Sequence, residues 1–156
     1  MGIDTLLSLD IVRLINDEDA RVADAVRGEL ERIAQAVDMI VERLRRGGRL
    51  FYFGAGTSGR LGVLDASEMV PTYSTPPDMV QAFITGGDVA LRSSVEAAED
   101  DSDAGAQVAR EAEVSECDVV VGITASGGAP WVLGVVAEAQ RRLAAAEGFV
   151  RRALLV

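Results

Sequence analysis

Apolar residues recur at spacings of three and four through Val22, Val26, Leu30, Ile33, Val37, Ile40 or Val41, and Leu44. That period places them on one stripe of a long helix. Gly47-Gly48 closes the pattern as a helix C-terminus does. Upstream, residues 8–16 read as a shorter helix with Ser8 as its N-cap. Asn16-Asp17-Glu18-Asp19 then reads as the start of the long helix, because acids are favoured at the positive end of the helix dipole. After Gly48 the period changes. Residues 49–53 are a short, nearly all-apolar strand. Residues 79–85 are a second, ending at Gly86-Gly87, and 118–124 a third and the clearest. Helices are predicted between and after them at about 57–68, 88–99, 103–113 and 130–146. Residues 73–78, with Pro76-Pro77, read as a surface loop.

Apolar strands alternating with helices predict an α/β fold, in which a parallel sheet is covered on both faces to give a three-layer αβα sandwich. The division expected is an N-terminal helical segment over 1–47, the sheet domain over 48–137 and a C-terminal helical tail over 138–156. Right-handed crossovers put every loop that follows a strand on one sheet edge. The loops at 54–60, 85–88 and 125–129 then share the edge where ligands of such sheets bind. A three-strand parallel sheet also leaves an open edge, which favours association.

Composition narrows the chemistry. The net charge is −10, from 25 acidic and 15 basic residues, which argues against a nucleic-acid partner. No run reaches the roughly 18 apolar residues of a membrane span, and the N-terminus lacks the basic segment of a signal peptide. A single cysteine, Cys117, excludes an internal disulfide and is expected to pack beside the strand that follows it; a cytoplasmic location is the default. Every basic residue is Arg, with no Lys and no His. A Schiff-base lysine, an imidazole base and a His/Cys metal site are all excluded. Proton transfer would fall to Asp or Glu, with Tyr52 and Tyr73 as distant alternatives.

Between the first strand and its helix lies Gly54-Ala55-Gly56-Thr57-Ser58-Gly59-Arg60. A glycine-rich turn into a helix N-terminus is an anion site, and Thr57 and Ser58 add hydroxyl donors. Gly54-x-Gly56-x-x-Gly59 matches the dinucleotide fingerprint literally. That reading needs an acid at the tip of the second strand to hold a ribose, and none occurs before Asp88. A compact phosphate monoester fits better, and a tight turn without ligand stays open as the plain alternative. A second loop of the same character, Thr124-Ala125-Ser126-Gly127-Gly128-Ala129-Pro130, follows the third strand, with Pro130 suited to a first helical turn.

Two carboxylates stand out from the acidic surface. Glu68 ends Asp65-Ala66-Ser67-Glu68 and is followed by the apolar exit Met69-Val70-Pro71. Glu99 lies one predicted helical turn from Glu96 in Glu96-Ala97-Ala98-Glu99-Asp100. Crowding and burial are the means by which a carboxyl is tuned for acid–base work.

The run from Gly54 through Glu68, followed by Pro71-Thr72-Tyr73, resembles the signature of N-acetylmuramic acid 6-phosphate etherases. Gly86-Gly87, the Glu96–Asp100 block, and Val120-Val121-Gly122-Ile123 with Ala125-Ser126-Gly127 continue it in order. So does the entry from Ile3-Asp4-Thr5 to Asp19. The resemblance spans about residues 3–136. It implies the sugar isomerase (SIS) fold, here incomplete. It also implies cleavage of the lactyl ether with water by β-elimination and water addition, without a cofactor. By the same resemblance Glu68 is the proton donor and Glu99 the second active-site acid. Gly56, Thr57, Ser58, Ser126 and Gly127 hold the 6-phosphate, and a homodimer is expected. A glycine followed by an apolar-Arg-x-Ala-Leu helix at the family's end is similar to residues 148–154, the basis for the helical tail; the rival expectation makes 149–156 a fourth strand.

Two departures accompany the resemblance. The family carries Thr before the proline of the second loop, where this chain has Gly128-Ala129-Pro130. Its members also run to roughly twice this length. Geometry adds a further expectation. Ser58 and Glu68 are ten residues apart, ~15 Å along a continuous helix, too far for one hexose phosphate. Either the helix breaks near Gly62 or a second copy completes the site; the second is the expectation adopted.

Overall fold

The computed structural model describes residues 2–145 together with Leu154–Leu155. By their contacts they form two compact units, Met1–Met39 and Ile40–Val156. The first holds a 3-10 turn (Ile3–Thr5), helix α1 (Ser8–Arg27) and most of α2 (Leu30–Arg45). The acidic run at 16–19 does not start a helix. It lies inside α1, because a helix already nucleated at Ser8 extends at little cost. The break comes instead at Gly28, a residue that costs about 1 kcal/mol in a helix interior. Ser8 is the first helical residue; Leu7 occupies the N-cap, with no side-chain cap.

The second unit is a sheet with helices on both faces. Strands β1 (Leu50–Gly54), β2 (Val80–Ile84), β3 (Val119–Ile123) and β4 (Leu154–Leu155) are all parallel, in the order β2-β1-β3-β4. The tail expectation is corrected at Leu154–Leu155, which pair with Val121 and Gly122 as a strand rather than extend a helix. Residues 146–153 of that stretch lie outside the described residues.

Alternation along β1 sets the layers. Phe51 and Phe53 face α4 (Ser102–Glu111) and α5 (Pro130–Ala145), packing with Ala109, Trp131, Val132 and Val135. Leu50 and Tyr52 face the other side, against Ala66 and Met69 of α3 (Gly56–Tyr73) and Ile40 and Leu44 of α2. On the first face the Phe53 and Phe83 rings stack at 5.0 Å and Trp131 closes on Phe53 at 6.2 Å. The αβα sandwich therefore follows from the period-two pattern of a doubly covered strand.

Three local expectations are corrected. Residues 88–99 form no α-helix. They make 3-10 turns at Gly87–Leu91 and Ala98–Asp100, separated by an irregular stretch. Gly86 and Gly87 both take positive φ there and Ala97 sits at +59°, conformations that a continuous α-helix excludes. Tyr73 belongs to α3 rather than to the loop, and Cys117 is exposed rather than packed.

Two buried carboxylates tie the elements together, and the sequence reading missed both. Asp118, at the foot of β3, accepts from the Arg49 backbone N–H (2.8 Å) and guanidinium (2.9 Å) and from the Ser115 N–H and hydroxyl (both 2.9 Å). Burial opposes its charge, and the Arg49 and Ser115 hydrogen bonds overcome that, holding it below the usual carboxylate range. Glu138 in α5 accepts from Arg141 (2.7 Å) and Arg142 (3.3 Å) and meets Arg110 of α4 at 3.4 Å. Among the described residues no helix is long and apolar enough to cross a membrane.

Candidate functional site

The strand order reverses at β1, so the loops after β1 and β3 lie side by side at the C-terminal sheet edge. Between them is a cleft of about 420 Å³, lined by Ala55, Gly56, Thr57 and Ser58 from the first loop and Thr124, Ala125, Ser126, Gly128, Ala129 and Pro130 from the second. Glu99 and Asp100 form its third wall. Helices α3 and α5 both begin at this cleft, at Gly56 and Pro130. Each presents free N–H groups and the positive end of its dipole there. Two convergent helix N-termini with four hydroxyl side chains, Thr57, Ser58, Thr124 and Ser126, suit a compact dianion.

The glycines have separate tasks. Gly56 turns the chain at φ +55° and Gly127 at +71°, backbone that side chains disfavour. A Cβ on Gly59 would stand 2.7 Å from Gly54 O and 2.7 Å from Ile84 Cγ1, so α3 lies directly on the sheet. The Ser126 hydroxyl accepts from Gly128 N–H at 3.2 Å, which leaves its proton to donate.

Of the residues picked out from the sequence, Gly56, Thr57, Ser58, Ser126 and Glu99 line this cleft; Gly127 lies between its lining residues. Glu68 does not join them. α3 runs unbroken through Gly62 to Tyr73, and Glu68 is exposed about three turns from the loop. The alternative of a helix break near Gly62 is thereby corrected. Gly62 stays helical because α3 packs it closely against the sheet, a Cβ there standing 3.0 Å from Tyr52 Cβ. Tyr52 is not among the residues lining the cleft, and burial and its hydrogen bond to Asp65 push its phenol well above the usual value. Tyr73 is 70 % exposed at the end of α3.

A smaller cleft of about 270 Å³ adjoins the first through Gly56 and Glu99, and is lined also by Arg60, Thr85, Ser94 and Glu96. Sequence reasoning had singled out neither Arg60 nor Thr85 as site residues, because the contacts that place them cross from one βα unit to the next. A larger concavity, of about 880 Å³, runs along the edge strand β2 and is rimmed by Asp88, Glu96, Asp101 and Glu111. Four acids there repel a phosphate, so volume alone misdirects.

The family profile described as the glucokinase regulatory protein N-terminal SIS domain matches residues 32–140. The chain is 51% identical over 141 residues to the N-acetylmuramic acid 6-phosphate etherase of Clostridium acetobutylicum, covering 90% of this chain and 47% of that protein. Identity is 55% over 139 residues to the etherase of a Jannaschia species (89% and 44%), and 55% over 141 residues to that of Symbiobacterium thermophilum (90% and 47%). The chain thus spans about half the length of the curated relatives it matches. With its parallel αβα layers, paired Ser/Gly loops and the profile match across both, the chain belongs to the SIS-domain family of N-acetylmuramic acid 6-phosphate etherases.

Proposed function

We propose that the protein is an N-acetylmuramic acid 6-phosphate etherase-type lyase, acting without a cofactor in the cytoplasmic breakdown of this amino sugar. The observation that carries the reading is the shared cleft: both Ser/Gly loops, two helix N-termini and Glu99 line one volume sized for a sugar phosphate. Thr57, Ser58, Ser126 and the N–H groups around Gly56 and Gly127 would hold the 6-phosphate. In the elimination, one carboxylate removes the proton at C2 as the lactyl ether bond breaks, and a carboxylic acid delivers a proton to the departing lactate oxygen. Water then adds across the new double bond, giving N-acetylglucosamine 6-phosphate and D-lactate. With no His or Lys in the chain these transfers fall to carboxylates, and the resemblance to the etherases assigns them to Glu68 and Glu99.

The distance of Glu68 from the glycine loop along unbroken α3 supports a site completed by a second copy of the chain. The exposed stripe Val22, Val26, Leu30, Ile33 and Val37 supports association as well. The assay is D-lactate release from N-acetylmuramic acid 6-phosphate. Release that disappears in Glu68→Gln and in Glu99→Gln, and returns when Glu68→Gln is mixed with a glycine-loop variant, is the expected outcome. Folded, associating parents that give no activity when mixed refute the shared site. A second reading, a sugar-phosphate binder without catalysis, is favoured by Gly128-Ala129, where the family has a threonine hydroxyl; binding with no D-lactate release would establish it.

A further inference from the structure

Glu99 is carried on a single 3-10 turn, Ala98–Asp100, and not on an α-helix or a strand. Between β2 and α4 the chain leaves the sheet at Thr85, makes the 3-10 turn Gly87–Leu91, and returns through the turn Ala98–Asp100. Two side chains fasten this strap. Thr85 is 6 % exposed, and its backbone N–H bonds Gly54 O at 3.1 Å, which fixes it to β1. Its hydroxyl donates to Ala98 O at 2.9 Å, closing the base of the strap one residue before Glu99. At the far end Arg60, in the first turns of α3, donates its Nε–H to Leu91 O at 3.2 Å. Arg60 belongs to the glycine-loop unit, β1–α3, Thr85 is tied to that unit through Gly54 O, and both side chains line the small cleft beside Glu99. Ala97, next to the Thr85 fastening, is held at φ +59°, a conformation that an L-residue keeps only when its surroundings impose it.

We infer that Thr85 and Arg60 are positioning residues: they pin the strap and so hold Glu99 at the rim of the phosphate cleft. The inference rests on the reading that Glu99 works at that cleft. Neither side chain is required to touch substrate. Thr85 sets the height of the Ala98–Asp100 turn over Gly56, and Arg60 stops the strap from swinging away from α3.

Thr85→Val removes the hydroxyl and keeps the branched shape, Thr85→Ser restores the donor, and Arg60→Met removes the second fastening from a more exposed place. In the full chain, amide exchange over 92–100 should rise about fivefold to tenfold in Thr85→Val, as expected for one lost hydrogen bond. Exchange in β1 and β3 should stay unchanged and Thr85→Ser should match the parent. Arg60→Met should raise exchange around Leu91. The Glu99 amide NMR signal should move in Thr85→Val and return in Thr85→Ser. With N-acetylmuramic acid 6-phosphate, Thr85→Val should lower kcat at least fivefold with KM within twofold, since the phosphate loops are untouched. Parent-like exchange and an unmoved Glu99 signal in Thr85→Val and Arg60→Met would overturn the inference, as would a loosened strap with unchanged kcat. A parent that releases no D-lactate refutes the etherase reading alone, because exchange and the Glu99 signal still decide the strap.

Discussion

Gly105→Ala should weaken both the fold and the cleft. Helices α4 and α5 cross at two glycines. A Cβ on Gly105 would stand 2.0 Å from Trp131 O, and one on Gly134 2.0 Å from Ser102 O. Real Cβ atoms essentially never approach a neighbour closer than 3.0 Å, so the helices must part by at least 1.0 Å (3.0 − 2.0) at Gly105. Overpacking costs about 1–3 kcal/mol, at the upper end here because both partners are backbone. Alanine returns about 1 kcal/mol through helix propensity. The net loss is about 2 kcal/mol, or a melting temperature lower by about 4–8 °C for a chain of this size. The displaced residue, Trp131, follows Pro130 at the cleft wall, so affinity for a hexose 6-phosphate should fall too. Thermal unfolding followed by circular dichroism, with a hexose 6-phosphate titration, tests this. Gly128→Ala is the control for the melting measurement alone, its nearest neighbour being Ser126 Oγ at 3.6 Å. A Gly105→Ala chain that melts with the parent and binds as tightly would refute the reasoning.

Asp118→Asn should cost about 3 kcal/mol, because it leaves the Arg49 guanidinium facing a neutral partner in a mostly buried network; urea unfolding measures it, and a loss below about 1 kcal/mol would show the network to be dispensable. Glu138 titrates at about 2 because the Arg141 hydrogen bond, helped by Arg142 and Arg110, outweighs its burial. Its folded value lies below the ordinary 4.5, so its contribution is complete above pH 4.5 and is lost as pH falls toward 2. Urea midpoints should therefore drop less steeply between pH 5 and 2.5 in Glu138→Gln than in the parent; parallel slopes would contradict the assignment.

How legible each part was depended on the range of the interactions that decide it. The strands at 50–54, 80–84 and 119–123 were readable because a buried parallel strand writes itself as a local apolar run. The glycine loop was readable because turn geometry restricts residue choice within a few positions. Residues 88–99 read as a helix because their acids and alanines have helical propensity, while the positive φ of Gly86, Gly87 and Ala97 and the Thr85 and Arg60 contacts act against it. The role of Gly28 was overlooked because the apolar stripe continues in phase across it.

The sequence by itself determined the layers, the two Ser/Gly loops and the restriction of proton chemistry to carboxylates, since each follows from residue type or from neighbours in the chain. Only the tertiary structure decided which candidates meet. It brought Glu99 to the two Ser/Gly loops and left Glu68 three turns away along α3, because the strand order and the unbroken helix, rather than the motif, set those distances. It also decided that Leu154–Leu155 would join the sheet beside β3, where unpaired backbone groups of an edge strand find partners.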